Sequence, residues 1–180
     1  MSYKLVKKIV LIFLLSLLSF GFGYLYFGSK LSSWISKPQQ DAGGPPAPVM
    51  QALKTLHDRI AANPKDEDAY TELAGFYFQA GKYEQALMYY QKAVSIRPDD
   101  IAARNDLALC YHLLKQSDKA IETLREAIKM SPGSQHLWLT LGLVYSETGK
   151  SAEARKALES AYHINPKSDA GIEAKSMLQK

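Results

Sequence analysis

The sequence predicts an all-α solenoid of repeated helix pairs behind an N-terminal transmembrane helix. Three observations predict it. Residues 9–28 run for twenty positions without a charge. Residues 37–49, KPQQDAGGPPAPV, hold four of the eight prolines and two adjacent glycines. The other four prolines, Pro64, Pro98, Pro132 and Pro166, stand 34 residues apart.

Thirteen of the residues from Ile9 to Gly28 are Leu, Ile, Val or Phe. As a helix, twenty residues span roughly 30 Å, the thickness of a bilayer's hydrocarbon core. Tyr24, Tyr26 and Trp34 gather at the C-terminal end, where aromatic rings favour the headgroup layer. A cleaved signal peptide is the competing reading, because lysines precede the run. The run is longer than the usual apolar stretch of about 7–15 residues and no A-x-A-like site follows it, so an uncleaved anchor is expected at 9–28. Lys4, Lys7 and Lys8 outnumber Lys30 and Lys37, which places residues 1–8 in the cytoplasm and the rest of the chain outside. Residues 29–48 read as a juxtamembrane linker, since a stretch so rich in proline and glycine neither propagates a helix nor buries much.

Within residues 49–180 the prolines set a frame. Equal offsets before them give Ala86, Ala120 and Ala154, then Tyr90, Leu124 and Leu158, then Ala93, Ala127 and Ala161. Earlier in each unit stand Leu73, Leu107 and Leu141, the small Ala74, Ala108 and Gly142, and Tyr77, Tyr111 and Tyr145. Tyr70, Arg104 and Trp138 share a further, aromatic-type position. Small residues let two helix backbones approach, and the large ones fill the remaining space. Gly81 and Gly149 suit a turn that needs positive φ, and each proline stops a second helix. Asp66, Asp100, Ser134 and Ser168, two residues past each proline, are N-cap types worth about 1 kcal/mol apiece.

This pattern resembles the tetratricopeptide repeat, two antiparallel helices in each 34-residue unit. The resemblance covers three full units, 67–100, 101–134 and 135–168, and implies a superhelical solenoid. The middle unit departs from it, with Arg104 for the aromatic and Lys115 for the turn glycine. It is expected to fold regardless, because its neighbours bury both its faces. Ala52, Leu56, Ile60 and Pro64 fit a lone second helix over about 50–62. Ala170, Ala174, Met177 and Leu178 form the apolar stripe of a capping helix within 169–180. Eight helices and no strand are expected.

Composition narrows the function. A single cysteine, Cys110, excludes a disulfide framework and a cysteine-ligated metal site, and its place beside the core Tyr111 reads as a buried, inert thiol. Residues 1–37 carry five lysines and no acid, leaving 17 basic and 18 acidic residues elsewhere. The basicity therefore belongs to the N-terminal segment, and a nucleic-acid partner is not expected. His57, His112, His136 and His163 form no H-x-x-x-H pair, and neither a phosphate loop nor C-x-x-C-H occurs. Neither enzyme activity nor a cofactor is expected.

A binding surface remains. The tetratricopeptide resemblance implies that first helices line a concave groove for an extended or helical partner segment. It places Thr71, Gly75 and Phe78, then Asn105, Leu109 and His112, then His136, Leu139, Leu143 and Ser146 on that groove. The set is more apolar than charged, which suits hydrophobic anchors with polar contacts from Asn105 and the histidines. Some of these leucines could instead pack against the terminal helix. Co-chaperones of this class clamp a terminal carboxylate at positions that here hold Thr71, Gly75, Asp106, His136 and Thr140, so that clamp is missing.

The layout of anchor, tether, lone helix and three repeats, and the stretch from Leu56 to Val94, resemble bacterial cytochrome c-type biogenesis proteins, the haem-lyase accessory subunits. This resemblance implies a single-pass protein of the bacterial cytoplasmic membrane with its repeats on the periplasmic side. It would hold the C-terminal segment of apocytochrome c for the haem-lyase subunits, leaving haem and catalysis to them. A scaffold for another envelope assembly, such as a secretion or pilus complex, is the alternative. A dimer of anchors through Ser19 and Gly23 is a third reading.

Overall fold

The structure, a computed structural model, describes residues 47–179. The expected anchor at 9–28 and most of the expected linker lie outside the described residues. Among those described, no helix is long and apolar enough to cross a membrane. Eight helices follow one another: α1 (Ala47–Ala62), α2 (Glu67–Gln79), α3 (Tyr83–Ile96), α4 (Ile101–Leu113), α5 (Ser117–Met130), α6 (Gln135–Glu147), α7 (Ser151–Ile164) and α8 (Asp169–Leu178). No strand occurs among the described residues. Helix α1 begins at Ala47, so Ala47 and Pro48, the last of the residues expected in the linker, belong to its first turn. Proline is tolerated there because the N–H it lacks would have no intrahelical partner.

The helices pair as α2–α3, α4–α5 and α6–α7, and the second helix of each pair packs on the first helix that follows. First helices also meet along the array, α4 with α6 and α6 with α8, whereas second helices make no comparable contact with one another. The row of first helices is the tighter one and forms the inside of the curve. Between α5 and the start of α7, on the outer side, a cleft of about 370 Å³ stays open.

Alanine makes the close approach possible. Ala74, Ala86, Ala93, Ala108, Ala120, Ala127 and Ala161 are all fully buried, with Leu73, Leu124 and Leu137 filling the space between them. The third pair is tighter still. A Cβ on Gly142 would lie 2.6 Å from Cδ2 of Leu158, so not even alanine fits between α6 and α7 without movement.

The turns inside the pairs share one hydrogen-bond pattern. Backbone N–H groups of Lys82, Gln116 and Lys150 donate to the carbonyls of Tyr77, Tyr111 and Tyr145 at 2.9, 2.8 and 2.9 Å, the six-to-one bond of a Schellman motif. The preceding residue must then be left-handed: Gly81 has φ 72°, Gly149 φ 77°, and Lys115 φ 65°. An L-residue pays about 1–2 kcal/mol for that conformation, partly offset because glycine is freer when unfolded. Lys115→Gly should therefore stabilise the array by about 0.5–1 kcal/mol. The urea midpoint should rise with an unchanged m-value; a fall would show that the lysine side chain contributes more than its backbone costs.

Arg104, the other departure, takes over the job of the aromatic. Its Nε donates to the carbonyl of Pro98 at 2.5 Å, and one repeat later the indole N–H of Trp138 donates to the carbonyl of Pro132 at 2.8 Å. Asp66, Asp100 and Ser168 accept from the backbone N–H groups of Ala69, Ala103 and Gly171, as expected of N-caps. Ser134 stands at the same position but makes no side-chain capping bond, and the Trp138–Pro132 bond ties that turn.

The first described helix has its own variation. Arg59 stands where the later second helices carry Ala93, Ala127 and Ala161. Its guanidinium donates to both carboxylate oxygens of Asp66 at 3.0 Å and to Glu72 at 2.9 Å, joining α1 to the N-cap of α2. The Arg59 bond, followed by that from the Ala69 N–H, holds the Asp66 carboxyl below its ordinary range.

Candidate functional site

On the inner face, α2 contributes Thr71, Gly75 and Phe78, all half-buried. The Thr71 hydroxyl donates to Glu67 at 2.8 Å, and Glu67, buried in the first turn of α2, also receives the guanidinium of Arg97. Desolvation raises the Glu67 carboxyl above its usual range, against the lowering effect of the Thr71 bond. Phe78 meets Tyr83 edge to face with ring centroids 5.5 Å apart.

Helix α4 differs from the expectation. Leu109 is 8% exposed and His112 7%, so neither offers much surface to a ligand. The His112 ring bonds Ser117 Oγ through Nδ1 and Glu147 Oε2 through Nε2, both at 2.9 Å, and so links the end of α4 to α5 and α6. Side chains from neighbouring elements close over this part of a short array, which helical spacing alone does not reveal.

On α6, His136 and Ser146 are exposed, while Leu139 and Leu143 are half-buried. Leu139 packs against the cluster of Leu158, Ala161 and Ala174, the last on the terminal helix, which is the alternative reading for a groove leucine. The expected residues that keep accessible surface are therefore Thr71, Gly75, Phe78, Asn105, His136, Leu139, Leu143 and Ser146.

The centre of the groove is polar. Asn105 donates from Nδ2 to Asp106 Oδ1 at 3.4 Å, and the Tyr90 hydroxyl of α3 donates to Asp106 Oδ2 at 3.2 Å. Asn105 Oδ1 is buried and has no hydrogen-bond partner among the described residues. Asp106 is only half-buried by area. Protein nevertheless surrounds its carboxyl closely enough for desolvation to push the pKa up to about 6, the Asn105 and Tyr90 bonds opposing this. Asp106 entered the sequence reading only as a place where the carboxylate clamp is lost. Its pairing with Tyr90 joins residues sixteen apart and depends on how α3 packs on α4.

Cys110 is fully buried, and desolvation pushes its thiol up to about 12, far from a reactive thiolate. Among the described residues no group of three His, Cys, Asp or Glu side chains could hold a metal ion.

Two tetratricopeptide-repeat family models match the sequence, over residues 66–133 and 114–178. Residues 66–178 are tetratricopeptide repeats. Solved structures share the fold. The first tetratricopeptide domain of Spaghetti (RPAP3), bound to the HSP90 peptide SRMEEVD, has a TM-score of 0.58 at 23% identity, covering 63% of this chain and 87% of that one. The first such domain of human RPAP3, solved by NMR, gives 0.60 at 23% identity over 65% and 90%. MamA gives 0.60 at 20% identity over 71% and 82%. At these identities the likeness is one of fold. No curated protein matches the sequence. The tetratricopeptide fold is in general a non-enzymatic scaffold for protein–protein interaction.

Proposed function

We propose that this tetratricopeptide domain holds a short segment of a partner protein in its inner groove, and that the chain presents that segment at a membrane. The observation that carries this reading is the groove wall. Phe78 from the first repeat and Leu143 from the third stay partly exposed, and Asn105 and Asp106 stand on the first helix of the repeat between them. Peptide binding by a domain of the same fold supports it, since one RPAP3 structure holds an HSP90 peptide. The missing carboxylate clamp argues for a different cargo here. The order of segments in the sequence supports the C-terminal part of apocytochrome c as that cargo. It also supports a place in the bacterial cytoplasmic membrane, with the repeats in the periplasm.

The test uses the full chain in detergent, wild type beside Leu143→Glu. A fluorescent apocytochrome c C-terminal peptide should bind the wild type and lose at least tenfold in affinity on substitution, because an apolar side chain buried against a new carboxylate must desolvate it. Circular dichroism should stay unchanged, since Leu143 is only half-buried. Failure of this peptide, together with capture of secretion or pilus components that Leu143→Glu releases, would leave the scaffold reading in its place. Equal capture by both proteins would move the binding site off this face.

A further inference from the structure

The charge of the first helices of the three full repeats is one-sided. Helices α2 and α6 contain no lysine or arginine, and α4 contains only Arg104. Arg104 is already committed to the Pro98 carbonyl and stands 3.7 Å from Glu126. Against it stand five acids on the same three helices: Glu67, Asp68, Glu72, Asp106 and Glu147. Four of these already have a cationic or histidine neighbour, Arg97 for Glu67 and Asp68, Arg59 for Glu72, and His112 for Glu147. Asp106 has none among the described residues; its partners are the neutral Tyr90 and Asn105.

Beside Asp106, itself only half-buried by area, the groove holds an unused acceptor. Gly75 puts no side chain beside the Tyr90–Asp106 bond, where a Cβ would make ordinary contact with the Tyr90 hydroxyl at 3.8 Å. Next to it, Asn105 Oδ1 is buried without a donor. A desolvated carboxylate beside an unsatisfied amide oxygen lacks one thing, a group that carries positive charge and several N–H donors. Lysine has three such donors and arginine five. Phe78 and Leu143, partly exposed on the first helices of the two adjoining repeats, supply apolar surface for neighbours of that cation.

We propose that the groove recognises an internal lysine or arginine of its partner segment, flanked by apolar residues, with the cation seated against Asp106. This inference rests on the groove being the partner site. It gives the groove the opposite polarity to a carboxylate clamp: a free C-terminus would meet acids and no cation. Desolvation of Asp106 supports it, because a cation is the partner that favours the charged carboxylate and reverses the upward shift.

The probe is a positional-scanning library of twelve-residue peptides, N-acetylated and C-amidated so that neither terminus carries charge. It is selected on the full chain in detergent and on its Asp106→Asn and Leu143→Glu variants. Selected peptides should carry one lysine or arginine between apolar residues. Replacing that residue by norleucine, or Asp106 by Asn, should weaken binding at least tenfold, and combining the two changes should cost little more than either alone. Binders without an enriched basic residue, released by Leu143→Glu but indifferent to Asp106→Asn, would overturn this inference and leave the groove reading standing. Finding no peptide that Leu143→Glu releases would overturn both. Asp106→Asn is isosteric and removes a buried charge, so loss of binding through unfolding is separated by an unchanged helical spectrum.

Discussion

Alanine at Gly171 should lower the stability of the array by about 3 kcal/mol, the upper end of what overpacking a core usually costs. Gly171 lies in the first turn of α8, is buried, and gives its N–H to Ser168 Oγ at 3.1 Å. A Cβ built there would sit 2.1 Å from the carbonyl oxygen of Asn165 and 3.0 Å from Cα of Pro166. Both are backbone atoms of the turn that leads into α8, so no rotamer change relieves the clash. The helix must move away from α7, opening the cluster of Leu158, Ala161 and Ala174. Urea denaturation with hydrogen exchange along α7 and α8 would measure it, with the largest protection loss at the C-terminal end. A loss below about 1 kcal/mol would mean that α8 can shift without disturbing the array.

The second large effect has the opposite sign. Asp106→Asn should stabilise the domain at neutral pH. With a pKa of about 6 in the fold, against roughly 3.9 in an unfolded chain, the two states hold different numbers of protons between those values. Below about pH 4 both are protonated and the group contributes nothing. From about 4 to 6 the unfolded chain has released a proton that the native state still holds, so wild-type stability falls as pH rises, and above 6 the cost is complete. Two pKa units correspond to roughly 3 kcal/mol, an upper figure for the gain. An asparagine oxygen can still accept from Tyr90, and its amide can donate to the Asn105 oxygen once the Asn105 amide flips. The melting temperature of the variant should exceed that of the wild type at pH 7.5 by several degrees, and the two should converge near pH 4. Curves that differ equally at both pH values would show that the carboxylate is not desolvated. If the basic-residue inference holds, the same substitution gains stability and loses affinity, the trade expected of a charge kept for binding.

Much of this architecture is legible in the residues. The spacing of Pro64, Pro98, Pro132 and Pro166 fixes the repeat frame, and that frame marks Lys115 as a residue that must occupy a glycine's conformation. The anchoring of Arg104 to Pro98 is not legible in the same way, since the pattern at that position asks for a ring and the bond depends on a guanidinium reaching a carbonyl six residues back. The groove is harder to read than the frame. Helical spacing puts Leu109 and His112 on the same face as Asn105, but how far Ser117 and Glu147 close over His112 depends on contacts between repeats. Asp106 illustrates the same limit: its character comes from the hydroxyl of Tyr90, on another helix.

The unequal packing of the two helix rows has a mechanical consequence. With α4, α6 and α8 in contact along the inner row and the outer helices separated, bending this part of the array would open or close the outer cleft with the inner helices as the pivot. Across that cleft Lys150 reaches Asp118 at 3.6 Å, an ion pair whose carboxylate is almost wholly in water and whose strength is therefore under about 1 kcal/mol. Bending about that pivot is expected to be the easiest motion of the domain, with the alanine-lined helix pairs moving as units. Its groove can narrow onto a slender extended segment or widen for a helix at little elastic cost.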